Sequence, residues 1–360
     1  MITLSLCMIV KDEQAVLSRV LSCMQDIADE IIIVDTGSSD QTISIARQYT
    51  PQVFSFAWTQ DFAAARNFAC SKATMDYWMW LDADDVITPA NQQKLLQMKH
   101  SLAPGTDIVM MKYLTGFDAQ GNATFAYERE RLIKNDSRFR WHGKVHEAII
   151  LQGNIVHLDI EIEHRKIKPG DPDRNLRIYE SMLANGEILE PRHQFYYARE
   201  LYDHRRYPES IAAFDRFLEQ DGWVENRIDA CLHLSRCHAF LGHGEQCLLS
   251  LFRSFCFDVP RAEICCEIGA KLMEQTAYHQ AIYWYQQALA THRDETSGGF
   301  IQPDCYDYIP FIQLCVCYDR LGDHATAFSY HQRAQAIKPD AQAVQINVQY
   351  FERLFRSTVS

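Results

Sequence analysis

The sequence predicts an α/β domain with a mostly parallel, Rossmann-like sheet, followed by an all-α domain of helical repeats. The first observation is length, since 360 residues are enough for about two domains. The second is that short β-rich runs alternate with helical runs through the first half. The third is that the chain from about Arg192 onward has a helical pattern that repeats. We therefore place the α/β domain at 1–168, a linker with a connecting helix at 169–191, and the repeat domain at 192–360.

The α/β domain is predicted from four apolar runs that have the length of strands. These runs lie at 4–10, 30–35, 52–58 and 77–81. Because they are almost continuously apolar and are separated by helical segments, they are typical of parallel strands covered on both faces. Ligands of such sheets bind at the carboxyl ends of the strands. The breaks after Val10, Val34 and Leu81 therefore mark the predicted binding edge.

The repeat domain is predicted from four similar helix–turn–helix segments. Their second helices are expected to begin near Tyr207, Gly244, Tyr278 and His324, at intervals of 37, 34 and 46 residues. A period near 34 residues is typical of the tetratricopeptide repeat. The alternative is an irregular helical bundle. Four repeats are enough for a stable array.

Composition and charge exclude several classes of partner. The net charge of -12 argues against a nucleic acid or an anionic membrane, because either would attract a basic surface. No apolar run approaches the roughly 20 residues of a membrane helix, and the first run has neither a basic leader nor a cleavage site. The 12 cysteines are scattered without zinc-site spacing and are expected to be reduced and mostly buried. We expect a soluble, cytoplasmic protein.

The run 77–81 ends in three carboxylates within four residues, Asp82, Asp84 and Asp85. Asp82 and Asp84 are two apart, so at a strand end their side chains can point the same way. Two such carboxylates repel each other unless a cation lies between them. Oxygen ligands of this kind suit Mg²⁺ or Mn²⁺. The alternative is a solvated turn in which Asp85 caps the next helix.

Four blocks occur in order along the first half: a strand with "KDE", a strand with "VDTGSSD", then "AARN", then a strand with "LDADD". This order resembles the family 2 glycosyltransferases over about the first 165 residues. The resemblance implies the GT-A fold and a nucleotide-diphosphate sugar as donor. With the helical repeats added, the chain resembles the branch that includes the S-glycosyltransferases of glycosylated bacteriocin peptides.

The resemblance also implies roles for individual residues. Val10 and Lys11 would border the nucleotide base through backbone groups, and Asp35 would contact the base or the ribose. Arg66 would lie beside the base or the diphosphate. Asp82 would contact the ribose or a metal-bound water, and Asp84 would bind the metal itself. Two positions depart from the family pattern, Asp12 in place of a common Asn and Thr36 in place of a second Asp. They leave the choice between uridine and guanosine donors open, with a UDP-sugar favoured.

The catalytic base is expected further along, in "FRWHGKVHEAII". A carboxylate near the acceptor can take its proton as the new bond forms, and Glu147 in "VHE" matches the family best. The alternative for Glu147 is an ordinary exposed residue. His146 either orients the acceptor or packs, and His164 either binds the metal or is structural. Three basic residues could neutralise the diphosphate or could be ordinary surface charges: Arg131, Lys134 and Lys144.

The resulting hypothesis is an inverting, metal-dependent glycosyltransferase that acts on a Cys or Ser of a peptide or on a cell-surface glycan. The helical repeats are expected to bind the acceptor or to form a homodimer. A second class is a non-catalytic repeat scaffold with a nucleotide-binding head. A third, a nucleotidyltransferase, is disfavoured because "MIVKDEQ" lacks the glycines of its first loop.

Overall fold

The computed structural model of the chain describes residues 1–117, 121, 123–167, 170–293, 299 and 301–357. They form two compact units, Met1–Ile188 and Leu189–Ser360. The boundary predicted between residues 168 and 169 lies outside the described residues, and the division between the units falls within the segment predicted as a linker. In the described part of the chain, no helix combines the length and the apolar character needed to cross a membrane.

The first unit contains ten strands. They are β1 Leu4–Val10, β2 Glu30–Asp35, β3 Val53–Ser55, β4 Tyr77–Trp80, β5 Asp85–Val86, β6 Ile108–Phe117, β7 Ala123–Lys134, β8 Trp141–His142, β9 Ala148–Ile149 and β10 Ile155–His164. Eight of them form one sheet in the order β3-β2-β1-β4-β7-β6-β10-β5, and β8 pairs with β9 separately. The pairs β3–β2, β2–β1, β1–β4 and β6–β10 are parallel. β7 runs antiparallel between β4 and β6, and β5 runs antiparallel to β10. The predicted mostly parallel sheet is confirmed.

The central strands are apolar throughout because both of their faces are buried. In β1, Leu6 and Met8 point into one core and Cys7 and Ile9 into the other. This alternation follows from the two-residue period of a strand. β2 and β4 divide their side chains between the same two cores.

The described residues of this unit form five α-helices. They are α1 Leu17–Met24, α2 Thr42–Ala46, α3 Phe62–Cys70, α4 Pro89–Ser101 and α5 Arg174–Ala184. α3 begins after Asp61, whose side chain accepts a hydrogen bond from the Ala64 amide at 2.8 Å. A carboxylate at this position satisfies an amide that the helix leaves unpaired. The capped helix turns Arg66 towards the sheet, where that side chain is buried.

α5 lies in the segment predicted as a linker, yet it belongs to the first unit. Its side chains Leu176, Ile178 and Tyr179 are buried. The segment is therefore part of the packed α/β unit along this helix.

The second unit is helical. Its α-helices are α6 Pro191–Asp203, α7 Tyr207–Leu218, α8 Val224–Phe240, α9 Gly244–Arg253, α10 Ala262–Glu274, α11 Tyr278–Ala290, α12 Tyr308–Arg320, α13 His324–Ile337 and α14 Gln342–Ser357. Short 3-10 turns occur at Ser254–Cys256 and Pro303–Tyr306. The helices pack as successive pairs, α6 with α7, α8 with α9, α10 with α11 and α12 with α13. The predicted all-α, tetratricopeptide-like architecture is confirmed.

The second helix of each pair begins at the residue that the sequence predicts. α7, α9, α11 and α13 start at Tyr207, Gly244, Tyr278 and His324. Each start is preceded, two residues earlier, by a residue with positive φ. These residues are Arg205 at 59°, Gly242 at 76°, Thr276 at 57° and Gly322 at 83°. The four turns therefore share one backbone conformation although their sequences differ. Part of the long last interval, residues 294–298 and 300, lies outside the described residues.

Candidate active site

The ends of three parallel strands bring the predicted nucleotide-binding residues to one edge of the sheet. β1 and β2 pair so that Val10 lies opposite Asp35. β4 pairs with β1 on its other side and leads directly into Asp82. Lys11 follows Val10 and is exposed to solvent. The carboxyl edge of the sheet thus carries four of the predicted site residues.

The loops after β1 and β2 are tied to each other. The Thr36 amide donates to the Val10 carbonyl at 3.0 Å. The Asp35 carboxylate accepts hydrogen bonds from the amides of the turn that follows it, at 3.0 Å from Gly37 and 3.1 Å from Ser38. Asp35 is itself 4% exposed. Its carboxylate therefore shapes the loop at which a nucleotide would bind.

Asp12, the position that departs from the family pattern, joins the same two loops. Its carboxylate accepts from the Ser39 amide at 2.7 Å, and its own amide donates to Ser38 Oγ at 2.9 Å. The hydrogen bond from the Ser39 amide lowers the pKa of Asp12. The aspartate at this position is thus used as a hydrogen-bond acceptor within the protein.

Arg66 joins two predicted site residues that are far apart in the chain. Its Nε donates to Glu147 Oε1 at 2.6 Å, and its NH2 donates to Asp82 Oδ1 at 2.9 Å. Burial raises the pKa of Asp82, but the charges of Arg66 and Arg131 outweigh burial and bring that pKa down to about 2. Burial alone would lower the pKa of Arg66, and the two carboxylates raise it instead. Arg66 and Asp82 are therefore both charged at neutral pH.

Two indole rings enclose the Arg66 guanidinium. Its Cζ lies 4.7 Å from the ring centre of Trp80 and 5.0 Å from that of Trp141. Arg129 and Arg131 also lie over Trp80, at 4.9 Å and 3.8 Å. Cations are attracted to the face of an indole, most strongly where water is excluded. The site thus gathers three guanidinium groups around one tryptophan.

The acidic turn after β4 is organised by Asp85. This residue is 0% exposed, and its Oδ2 accepts a hydrogen bond from the Asp82 amide at 3.0 Å. Its carboxylate also accepts from Arg131 NH1 at 3.2 Å and from the Tyr113 hydroxyl at 2.9 Å. The alternative in which Asp85 caps the next helix is wrong, because Thr88 caps α4.

His164 at the end of β10 lies beside the same turn. Its Nδ1 is 3.3 Å from Asp84 Oδ1 and 2.9 Å from the Tyr113 hydroxyl. Hydrogen bonds with Asp84 and Asp85 raise the pKa of His164 to about 10. Burial raises the pKa of Tyr113, and the nearby carboxylates raise it further, so its hydroxyl keeps its proton. The imidazole and the carboxylates therefore lie close enough to share a single proton or a cation.

The donor atoms at this turn fit a divalent cation. One atom each from Asp82, Asp85 and His164 lie within 4.8 Å of one another, and Asp84 lies next to the same imidazole. Carboxylate oxygens suit Mg²⁺ and Mn²⁺, and imidazole is compatible with transition-metal ions. Asp85 already accepts three hydrogen bonds from within the protein. Asp82, Asp84 and His164 are therefore the better candidates for ligands.

The loop that carries Glu147 lies between β8 and β9 and is held by two helices. Asn67 of α3 exchanges two hydrogen bonds with the backbone of Trp141, both at 2.9 Å. His146 has a φ of 50° and stacks on Tyr179 of α5, with ring centres 6.4 Å apart. These contacts fix the backbone on both sides of the loop.

Two of the three basic residues considered for the diphosphate have other surroundings. Lys144 pairs with Glu187 at 2.6 Å. Lys134 lies opposite Tyr77 at the amino end of β4, away from the binding edge. Arg131 is at the site but 0% exposed. The structure thus places Arg131 among the buried supports of the acidic turn.

The roles of several residues of the site could not be predicted from the sequence. Tyr113, Arg131 and Asp85 form one buried network, and Tyr179 supports the loop of the expected base. The sequence marked Arg131 only as one of three basic residues that could neutralise the diphosphate, because it lies in a run of charged residues at 128–131. No signal marked Tyr113, because tyrosine is common in strands.

Comparisons with known proteins identify the family to which the N-terminal half is similar. Residues 5–151 match the model of the family described as glycosyl transferase family 2. A TPR repeat-containing protein of Synechococcus elongatus is 46% identical over 85 residues, which are 24% of this chain and 21% of that protein. The SPbeta prophage-derived glycosyltransferase SunS of Bacillus subtilis is 25% identical over 214 residues, 56% of this chain and 49% of SunS.

A third relative is the lipopolysaccharide core biosynthesis glycosyltransferase LpsC of Rhizobium meliloti. It is 28% identical over 162 residues, 42% of this chain and 58% of LpsC. The chain thus spans less than two thirds of each of these three relatives. The family match covers the strands and loops that carry every predicted site residue except His164. Residues 5–151 of this chain therefore form a domain of glycosyl transferase family 2.

Proposed function

We propose that the chain transfers a sugar from a nucleotide-diphosphate sugar to an acceptor, with the help of Mg²⁺ or Mn²⁺. The family 2 domain and the relatives named as glycosyltransferases support this reaction class. A UDP-sugar is the favoured donor. Val10, Lys11, Asp35, Arg66 and Asp82 would bind its nucleotide part. The free and mostly buried cysteines suit a protein of the reducing cytoplasm.

The observation that carries the proposal is the double ion pair of Arg66. It holds the expected base, Glu147, at 2.6 Å and the expected nucleotide-site carboxylate, Asp82, at 2.9 Å. The two carboxylates serve opposite ends of the reaction, one at the acceptor and one at the donor. A single buried guanidinium thus fixes the separation of the two half-sites, which is the kind of preorganisation that catalysis by positioning requires.

In the proposed mechanism, the acceptor nucleophile attacks the anomeric carbon from the side opposite the diphosphate. The bond between that carbon and the diphosphate oxygen breaks as the new bond forms, and the configuration is inverted. The transition state has oxocarbenium character. Glu147 takes the proton of the acceptor, and the nucleoside diphosphate leaves with the electron pair of the broken bond.

Asp84 and His164 would hold the cation, next to Asp82. When bound, the cation offsets the negative charge that builds up on the leaving diphosphate. The chain itself holds the carboxylates of the cation site at one edge of the sheet, and the arginine cluster around Trp80 lies behind them. Without a counter-charge, these carboxylates would repel a diphosphate.

The acceptor is proposed to be a Cys or Ser of a peptide, following the resemblance to peptide S-glycosyltransferases. A thiol needs less activation than a hydroxyl, since its intrinsic pKa is near 8.5. A cell-surface glycan is the second candidate, and the similarity to LpsC, a lipopolysaccharide core biosynthesis glycosyltransferase, favours it. The helical repeats would bind the acceptor or a second copy of the chain. Large apolar side chains exposed on that unit, such as Phe240 and Tyr283, support such a role.

A panel of UDP- and GDP-sugars, with and without Mn²⁺, tests the proposal by thermal shift and by release of the nucleoside diphosphate. We expect Glu147→Gln to bind the donor and to lose turnover by about 10²- to 10⁴-fold, because the proton acceptor is gone. We expect Asp84→Ala to lose the Mn²⁺-dependent shift. Asp159→Asn, at an exposed carboxylate remote from the turn, is the matched control.

The outcomes separate the hypotheses. Wild-type turnover in both variants would refute the assigned roles. Turnover that survives EDTA would remove the cation from the mechanism. Binding of a sugar nucleotide without any release of nucleoside diphosphate, across a panel of peptide and glycan acceptors, would favour the non-catalytic scaffold.

A further inference from the structure

Asp85 and Arg131 form an ion pair at the centre of the site that cannot itself contact a substrate. Both residues are 0% exposed, and Arg131 NH1 lies 3.2 Å from Asp85 Oδ2. Two other Arg131 nitrogens, Nε and NH2, are buried without a hydrogen-bond partner. Burying two charges is costly, and a pair of apolar residues often serves stability better. The pair therefore calls for an explanation other than stability.

The pair holds the backbone at the start of the acidic turn. Arg131 NH1 donates to the carbonyl of Trp80 at 3.2 Å, just before the turn. Asp85 Oδ2 accepts from the amide of Asp82 at 3.0 Å, within the turn. The Arg131 side chain is itself held flat between Trp80 and Tyr113, with ring centres at 3.8 Å and 4.1 Å from its Cζ. Backbone groups on each side of Leu81 are thus fixed to one buried ion pair.

The same network reaches the imidazole of His164 through Tyr113. The Tyr113 hydroxyl lies 2.9 Å from Asp85 Oδ1 and 2.9 Å from His164 Nδ1. A hydroxyl has one proton, and an ionised carboxylate can only accept. When Tyr113 donates to Asp85, the hydrogen between Tyr113 and His164 must therefore come from Nδ1. A hydrogen bond of this kind fixes the orientation of the imidazole ring, and proteins use it to orient metal-binding histidines.

We propose that Asp85, Arg131 and Tyr113 are positioning residues, which orient the acidic turn and His164 towards a divalent cation that Asp85 does not itself bind. The inference rests on the cation site of the proposed function. It differs from the simpler arrangement in which Asp85 is a ligand together with Asp82 and His164. Three internal donors already use the oxygens of Asp85, and its side chain is closed to solvent.

The two arrangements predict opposite effects of Arg131→Met. Methionine can pack between the two rings in place of the arginine stem, and the substitution removes one positive charge and releases Asp85. If charge alone mattered, or if Asp85 were a ligand, the site would bind Mn²⁺ more tightly. If Arg131 positions the turn, binding weakens despite the more favourable charge.

The experiment is a titration of the full chain with Mn²⁺, followed by electron paramagnetic resonance, with and without UDP. We expect Tyr113→Phe and Arg131→Met each to weaken Mn²⁺ binding by about 10- to 100-fold, the usual effect of removing a group that orients a metal ligand. The double variant Asp85→Asn with Arg131→Met has no unpaired buried charge. It should melt at a higher temperature than Arg131→Met alone and still bind Mn²⁺ weakly.

Lys99→Met is the matched control for lost stability. Lys99 is 6% exposed and pairs with Asp29 at 2.8 Å, near the amino end of β1 and away from the binding edge. It should lower the melting temperature and leave Mn²⁺ affinity unchanged. Wild-type affinity in Tyr113→Phe, tighter binding in Arg131→Met, or wild-type affinity in the double variant would each overturn the inference. A wild-type chain that shows no saturable Mn²⁺ binding would instead overturn the cation site on which the inference rests.

Discussion

At the scale of single residues, Arg66 shows how one side chain can set the geometry of a whole site. It is 8% exposed, contacts two carboxylates and lies against two indole rings. A buried charge with partners on both sides is costly to unpair, since removing one partner leaves the other uncompensated. The guanidinium therefore opposes independent movement of Asp82 and Glu147. Lysine could not replace it, because a compact ammonium lacks the planar fork that reaches two acceptors at once.

The ion pair with Arg66 predicts a dependence of stability on acid pH. The pKa of Asp82 is about 2 in the folded chain, against an ordinary value of 3.8. The stabilising contribution is therefore complete above about pH 5 and is lost as the pH falls through about 4 towards 2. Because a third of the Asp82 side chain is exposed, we expect only about 1 to 2 kcal/mol.

The measurement compares wild type with Asp82→Asn by urea unfolding at several pH values, in protein freed of divalent cations. The difference in unfolding free energy should shrink by most of that amount between about pH 5 and about pH 2.5. Asp159→Asn is the control: Asp159 pairs with Lys94 and Lys112 but is largely exposed, so its difference should change less with pH. A difference that stays constant with pH would mean that Asp82 keeps its ordinary pKa in the folded chain.

At the scale of elements, the hairpin turns of the helical unit repeat a backbone conformation that their residues do not equally favour. Gly242 and Gly322 adopt the left-handed conformation without a side-chain penalty. Thr276 adopts it at a φ of 57°, although branching at Cβ makes it unfavourable there. The neighbouring hydrogen bonds, such as Thr276 N to Met273 O at 2.9 Å, hold the turn in shape. Packing of the helix pair thus overrides a local preference.

We expect Thr276→Gly to stabilise the chain by about 0.5 to 1 kcal/mol. Relief of the left-handed strain is worth about 1 to 2 kcal/mol, and the greater freedom of glycine in the unfolded chain offsets about half of it. Gly322→Ala is the reciprocal test and should destabilise by about 1 kcal/mol, because a Cβ there meets no atom within 4 Å and only the backbone is affected. Urea unfolding measures both, and destabilisation by Thr276→Gly would contradict the explanation.

The same elements show what the sequence can and cannot predict. The apolar run of β4 and the carboxylates that follow it could be predicted, because the sequence changes there from apolar to charged residues. The first residues of α7, α9, α11 and α13 could be predicted from the spacing of the repeats. The ion pair between Arg66 and Glu147 could not be predicted, because the two residues are 81 positions apart and their pairing depends on how α3 packs. The antiparallel insertion of β7 between β4 and β6 was equally hidden, since strand order depends on long-range pairing.

At the scale of the whole molecule, each of the two compact units has hydrophobic clusters of its own. The first contains the two cores on either side of the sheet, and the second contains clusters between its paired helices. Every residue assigned to the active site belongs to Met1–Ile188. α5 is part of that unit and supports the Glu147 loop through the stack of Tyr179 on His146. We therefore expect the α/β unit to need α5 for its function. Its C-terminal boundary would then lie after α5 and not at residue 168, where the sequence predicts it.

Two fragments of the chain test this limit directly. The fragment 1–188 retains α5 and should fold, with an affinity for UDP and Mn²⁺ within a few-fold of the full chain, because no site residue is removed. The fragment 1–168 lacks α5 and with it three buried side chains, Leu176, Ile178 and Tyr179, and each buried side chain of this size is worth roughly 1.5 to 3 kcal/mol. It should melt at a much lower temperature or fail to fold. Melting temperatures and the shift produced by UDP with Mn²⁺ report both properties. Equal stability of the two fragments would show that α5 is a true linker, and loss of nucleotide binding in 1–188 would show that the helical unit contributes to the donor site.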